Sequence, residues 1–146
     1  MDYTVTLIPG DGIGPEVTRA AQEIVAACGV KIHWERHDAG AEMAERTGNP
    51  CPDELIQSIQ RHRIALKGPV GTPIGRGFRS VNVTLRRALD LYACLRPVRS
   101  LKGVASRYDN VDLVIIRENT EGLYSGIEHM VIPGVAASLK IVTEHA

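Results

Sequence analysis

Long hydrophobic runs are absent from this chain of 146 residues. Its uninterrupted apolar stretches are no longer than Ile24–Cys28, whereas a membrane-crossing helix needs roughly 20 such residues; no membrane partner is expected. Cysteine is scarce. Cys28, Cys51 and Cys94 are odd in number, far apart and without a CxxC pair, which excludes a disulfide scaffold and reads as unbridged thiols in a reducing compartment. Aromatic residues make up only 4%, too few for a platform on which nucleic-acid bases stack. A basic, apolar leader is also missing. Asp2, Asp11 and Glu16 stand near the start instead, so neither a signal nor a transit peptide is expected, and the expected location is cytoplasmic.

Net charge is absent as well, because 17 basic residues balance 17 acidic ones. What is present is the composition of an ordinary globular protein, 44% hydrophobic and 23% charged, with a length that suggests one domain. The charge is unevenly spread. Residues 63–99 hold seven arginines and one lysine against a single acid, Asp90, a net +7. Such a window faces something negative or repels itself.

Hydrophobic periodicity predicts a strand at Thr4–Ile8, then a helix from Pro15 with an apolar stripe at Val17, Ala21, Ile24 and Cys28. Pro15 suits the first helical turn and Gly29 the residue past its end. Val30, Ile32 and Trp34 alternate as a second strand. Asp53–His62 reads as a helix, Ile64–Lys67 as a short strand, 68–77 as a Gly/Pro loop and Val81–Leu91 as a helix. Tyr92–Val98 and Val111–Arg117 read as strands. Leu123–Ile132 and Val135–Thr143, joined by Pro133-Gly134, read as a hairpin or paired extended arm. The alternation implies an α/β fold with a partly parallel sheet and a tail richer in β.

The loop Pro9-Gly10-Asp11-Gly12-Ile13-Gly14-Pro15-Glu16 joins a strand to a helix but fails the G-x-G-x-x-G fingerprint, because its third glycine comes one residue early. It reads either as a tight turn using glycines at positive φ or as part of a nucleotide pocket. In the basic window, Asn82 and Arg86 are four apart and share a helix face. Ser80 stands near that helix's N-terminus, as a cap or as part of an anion site. Arg96 lies on the next strand and Arg117 on the one after. Several guanidiniums together match a ligand with several carboxylates or phosphates.

These segments, with Lys67-Gly68-Pro69, Arg79-Ser80-Val81-Asn82, Leu89–Val98 and Ile116-Arg117-Glu118-Asn119-Thr120-Glu121-Gly122-Leu123-Tyr124, resemble the isocitrate and isopropylmalate dehydrogenase family over nearly the whole chain. Ser80 and Asn82 are similar to the isocitrate enzymes; the isopropylmalate enzymes carry an acidic and apolar stretch there. The resemblance implies that Arg86, Arg96 and Arg117 clamp substrate carboxylates. It implies that Ser80 and Asn82 hold the distal carboxylate, with Asn82 also approaching the nicotinamide. Tyr124 would relay a proton, and Lys67 and Thr72 would lie beside substrate and cofactor. The implied reaction is oxidative decarboxylation of isocitrate to 2-oxoglutarate by NAD or NADP, with a slight lean to NAD. A divalent Mg2+ or Mn2+ would stabilise the enolate.

The resemblance also implies that residues 1–91 are the first half of a large α/β domain. Residues 92–146 would begin a small domain, with an arm from about 122 that joins a partner in a homo-oligomer, a dimer. Family members are more than twice this length, and their metal-binding aspartates and general-base lysine fall beyond residue 146. No metal ligand is therefore expected here, and the chain alone is expected to be inactive and prone to associate. Asp109 and Asp112 are spaced as a turn before a strand, not as metal ligands. The alternative is a non-catalytic regulatory or vestigial subunit of the same family. A dehydrogenase for a related 2-hydroxy acid such as isopropylmalate, homoisocitrate or tartrate is a further one, and a basic polyanion-binding module is more remote.

Overall fold

A computed structural model describes residues 2–71 and 80–145. The chain divides into two compact units, Met1–Leu89 and Asp90–Ala146.

The first unit contains β1 (Tyr3–Ile8), α1 (Gly14–Ala27), β2 (Ile32–Arg36), α2 (Ala41–Thr47), α3 (Asp53–His62), β3 (Ala65–Lys67) and α4 (Val81–Ala88). Its sheet is parallel throughout, in the order β2-β1-β3. β1 is central, and Val5, Thr6, Leu7 and Ile8 are all buried. The strand is thus covered on both faces, as parallel strands are, rather than half-exposed as alternation alone implies. Ile8, Leu55, Val81 and Leu85 form the core with Ala39 and Cys51. Beneath α3, the Thr6 and Ser58 hydroxyls meet at 2.7 Å, so this buried polar pair satisfies itself. At the sheet edge, Glu35 on β2 binds Arg61 Nη2 at 2.7 Å and lies 2.7 Å from His62 Nε2, which fastens β2 to the end of α3. His37 and His62 first, then Ser58 and Arg61, hold the Glu35 carboxyl well below the usual carboxylate range.

Local chemistry accounts for most of the element ends. Pro15 opens α1, and Gly29 follows it at φ 77°. The buried face of α1 is Gly14 and Thr18, whereas Val17 and Ile24 of the expected stripe are exposed. Small residues let this helix lie close to the backbone beneath it. α2 went unanticipated: it is one short amphipathic segment with a single buried residue, Ala44, ended by Gly48 in the left-handed conformation. α4 stops three residues earlier than periodicity suggests, because Asp90 turns to φ 51°.

The second unit consists of β4 (Ala93–Arg99), β5 (Asp112–Glu118), β6 (Gly122–Ile132) and β7 (Val135–Ile141). It forms two antiparallel ribbons, β4-β5 and β6-β7. The β6-β7 hairpin turns at Pro133-Gly134, with Gly134 at φ 83°. Both ribbons expose large apolar side chains, among them Leu95, Ile116, Leu123, Met130 and Ile132.

Replacing Thr6 by Val or Ser58 by Ala should each cost about 1–3 kcal/mol, since each strands a buried hydroxyl or opens the pair. The double variant should lose less than the sum of the two. Urea midpoints of the four proteins check this, and strictly additive losses would show that the two hydroxyls do not act as a pair.

Candidate active site

At the carboxyl ends of β1 and β3 two loops touch backbone to backbone. The Gly68 N–H donates to the Ile8 carbonyl at 2.8 Å, and the Asp11 N–H to the Pro69 carbonyl at 2.9 Å. A Cβ on Gly10 would stand 1.9 Å from the Pro69 oxygen, and one on Gly68 would stand 2.1 Å from the Pro9 oxygen. Glycine is therefore required for close approach at both places, as well as for positive φ at Gly10. The Asp11 carboxylate accepts the Gly71 N–H at 2.6 Å, the Ala41 N–H at 2.9 Å and the Glu42 N–H at 3.3 Å. Of the two readings of the glycine loop, the contacts favour the structural turn: within the loop the Asp11 N–H is taken by the Pro69 carbonyl and the Gly14 N–H by the Asp11 carbonyl.

α4 lies against this core through Val81 and Leu85. Asn82 and Arg86 follow each of these by one position, about 100° round the helix, and so flank the buried face half-exposed. Ser80 occupies the N-cap position in a non-helical conformation, but its hydroxyl makes no capping hydrogen bond. The basic side chain of Lys67, at the end of β3, donates to the Gly68 carbonyl at 2.7 Å. Burial first and the Arg86 guanidinium second hold its pKa below the usual lysine range. Lys67 and Arg86 are thus electrostatic neighbours. Thr72 lies outside the described residues.

In the second unit, register does the positioning. Cys94 pairs with Arg117 and Arg96 with Ile115. Directly paired residues share a face, so Arg96 and Arg117 stand on the same face of the β4-β5 ribbon as diagonal neighbours. Arg96 Nε donates to Cys94 Sγ at 3.2 Å. The Arg117 guanidinium donates to the Tyr124 hydroxyl, with its carbon 5.3 Å from the tyrosine ring centre. A turn at 118–121 makes that meeting possible. The Glu118 carboxylate accepts from the Thr120 N–H and hydroxyl and from the Glu121 N–H, at 2.9 Å for the last.

The expected site residues therefore fall into two sets. Lys67, Ser80, Asn82 and Arg86 belong to the first unit, and Arg96, Arg117 and Tyr124 to the second. Asp11 and Glu118 were given no role by sequence reasoning. The available signal was a lone acid within a glycine turn in one case, and an acid directly before a hydroxyl-containing turn in the other. Among the described residues no group of three or more His, Cys, Asp or Glu side chains could hold a metal ion, and Asp112 is paired with Arg99 at 2.9 Å. The side chains present do not by themselves fit Mg2+ or Mn2+, which demand a near-octahedral set of oxygens. No described helix is long and apolar enough to cross a membrane.

The described residues thus form a parallel α/β unit, followed in sequence by two antiparallel β ribbons, the first of which carries Arg96 and Arg117 on one face. Residues 4–146 match the family model described as isocitrate/isopropylmalate dehydrogenase, and the chain belongs to that family. It is 52% identical over 143 residues to isocitrate dehydrogenase [NAD] catalytic subunit 5, mitochondrial, of Arabidopsis thaliana, covering 98% of this chain and 38% of the relative. It is also 52% identical over 141 residues to the chloroplastic 3-isopropylmalate dehydrogenase of Solanum tuberosum, covering 97% of this chain and 40% of that one. A crystal structure of isocitrate dehydrogenase from Methylococcus capsulatus superposes with a TM-score of 0.90 at 48% identity, over 97% of this chain and 43% of that chain. The fold is therefore part of the isocitrate/isopropylmalate dehydrogenase fold. The chain spans about two-fifths of the length of the curated relatives it matches.

The expected cytoplasmic location is corrected by these relatives, which are named mitochondrial and chloroplastic and point to an organelle. The expectation rested on the acidic residues at positions 2, 11 and 16, and charge there does not report on a leader.

The Glu118 turn makes a pH prediction. The side-chain hydrogen bond from Thr120 is the largest cause holding the Glu118 carboxyl below its ordinary value of 4.5, followed by the Thr120 amide. Its folded pKa is thus lower than its unfolded one. The carboxylate contributes stability above the unfolded pKa and loses it as pH falls through the folded pKa. The Thr120 and Glu121 amide resonances should titrate with a midpoint below 4.5, and Glu118→Gln should abolish that step. A midpoint at or above the ordinary value would contradict the capping role.

Proposed function

We propose that the full-length protein oxidises isocitrate and decarboxylates the product to 2-oxoglutarate. The hydride from the 2-hydroxyl carbon goes to the nicotinamide of NAD, and CO2 then leaves the β-keto acid. The observation that carries this reading is the pair of arginines on one face of β4-β5, with Tyr124 set against one of them. Two diagonal guanidiniums suit a ligand with more than one carboxylate. In this reading Arg86, Arg96 and Arg117 clamp the carboxylates. Ser80 and Asn82 take the distal one, and Asn82 also approaches the nicotinamide. Tyr124 moves a proton at the decarboxylation stage, and Lys67 and Thr72 lie beside substrate and cofactor. A divalent metal would stabilise the enolate, held by residues other than those described.

NAD is preferred over NADP because the Arabidopsis relative is named for NAD. Isopropylmalate is the competing substrate, and overall identity does not separate the two. The chemistry at α4 favours isocitrate: a hydroxyl and an amide suit a third carboxylate, whereas an isopropyl group wants apolar contact. A non-catalytic subunit has no need of the Arg117–Tyr124 contact, so catalysis is the better reading. We further propose that residues 1–91 form the first half of a large domain and residues 92–146 the start of a small one. The exposed apolar residues of β6-β7, Met130, Val131 and Ile132 among them, would meet a second copy in a homodimer.

Arg96→Ala in the full-length protein should lower kcat/KM for isocitrate by about 10- to 150-fold, mainly through KM, as expected for a charge-assisted contact of about 1.5–3 kcal/mol. Unchanged kinetics would remove the arginine clamp. Ser80→Asp should abolish isocitrate binding while leaving NADH binding within a few-fold, because a carboxylate would stand where a carboxylate must dock. Isocitrate affinity that survives the change would take Ser80 out of the pocket.

A further inference from the structure

The first unit has a switch point. From central β1 the chain goes to β2 on one side and then crosses to β3 on the other. In open parallel sheets, ligands bind outside the carboxyl ends of the strands at the crevice where the order reverses. Here that crevice lies between the ends of β1 and β3. Its floor is the contact between the Pro9–Gly12 loop and the Gly68–Gly71 segment.

One side chain joins everything that meets there. Asp11 follows β1, and its own N–H is bound to Pro69. Its carboxylate then accepts amides from Gly71, beyond β3, and from Ala41 and Glu42, at the start of α2. The fit leaves no slack. A Cβ on Gly40 would lie 2.0 Å from Asp11 Oδ2, and one on Gly71 would lie 3.2 Å from the same oxygen. Three segments far apart in sequence are thus fixed by one carboxylate, and Lys67 stands at the entrance to one of them. No substrate-binding arginine is among the partners of Asp11.

We propose that Asp11 is a positioning residue for the nucleotide: it holds the Gly68–Gly71 backbone against the first loop, so that the cofactor side of the crevice keeps its shape. This rests on the dehydrogenase reading above. Asp11 touches neither cofactor nor substrate in this account. Its charge is consumed by three amides, and the consequence of losing it is a displaced Gly68–Gly71 segment. Asparagine can still offer one oxygen to Ala41 and Gly71, giving up only the longest of the three bonds, so it should rescue the function that alanine loses.

The test uses the full-length protein with Asp11→Ala and Asp11→Asn. Three quantities are read: NADH affinity by fluorescence, KM for isocitrate, and hydrogen exchange at the Gly71 and Ala41 amides. In the alanine variant, NADH affinity should fall about tenfold or more and both amides should exchange at least tenfold faster. Isocitrate KM, at saturating nucleotide, should stay within about twofold. The asparagine variant should stay within about threefold of wild type on all three. Should the alanine protein fail to fold, Asp11→Glu supplies the same test, because its extra methylene displaces the carboxylate from the amides while keeping the charge. Unchanged Gly71 exchange, unchanged NADH affinity, or an isocitrate KM that rises as far as the nucleotide constant would each overturn the proposal. Absence of isocitrate turnover in the wild-type protein would overturn the substrate reading alone, since NADH binding and amide exchange still report on Asp11.

Discussion

The first unit depends on two loop backbones lying closer together than any side chain allows. Gly10 faces the Pro69 carbonyl, and Gly68 faces the Pro9 carbonyl, each at a distance that a Cβ would violate. That approach brings the carboxyl ends of β1 and β3 together and lets the Gly68 and Asp11 amides bond across the gap. Beside that contact the Asp11 carboxylate accepts the Gly71 amide of the second loop and the Ala41 and Glu42 amides that open α2. The glycines and the acid of the first loop thus act side by side: the glycines permit the contact, and the carboxylate satisfies backbone amides from two other segments.

The same economy governs the side chains proposed to bind substrate. On α4, burial of Val81 and Leu85 against Ile8 and Leu55 sets the helix rotation. That leaves Asn82 and Arg86 on the flank without any interaction of their own being required. On β4-β5 the antiparallel register puts Arg96 and Arg117 on one face. In both places apolar packing or backbone pairing fixes the direction, and the polar residue inherits it from its neighbour. Polar side chains placed this way keep their hydrogen-bonding capacity for a ligand.

This division explains what was legible beforehand. Strand and helix positions followed from periodicity and from Pro15, Gly29 and Pro133-Gly134, because those signals act within a few residues. The buried face of α1 did not follow, because close packing selected Gly14 and Thr18 over the more apolar Val17 and Ile24. α2 was missed because seven residues with one buried side chain carry almost no pattern. The early end of α4 depended on a left-handed Asp90, which composition does not announce. Ser80, Asn82, Arg86, Arg96 and Arg117 were legible as candidates from the basic window, its spacing and the strands that follow, and Tyr124 only from the family resemblance. Asp11 and Glu118 were not legible, because their partners are backbone amides, which every sequence possesses.

The basic window illustrates how a charge excess becomes specific. Its described arginines differ in what they meet. Arg63 ends α3 in the left-handed conformation. Arg99 is neutralised by Asp112. Arg96, by contrast, turns to a sulfur, and Arg117, just beyond the window, turns to a phenol. Neither acceptor is a carboxylate, and among the described residues no carboxylate is paired with either guanidinium. A phenol orients a guanidinium without cancelling its field, whereas a carboxylate does both. An incoming carboxylate ligand would then meet arginines already aligned and still fully charged, and the pairing it completes would not first require breaking an internal ion pair.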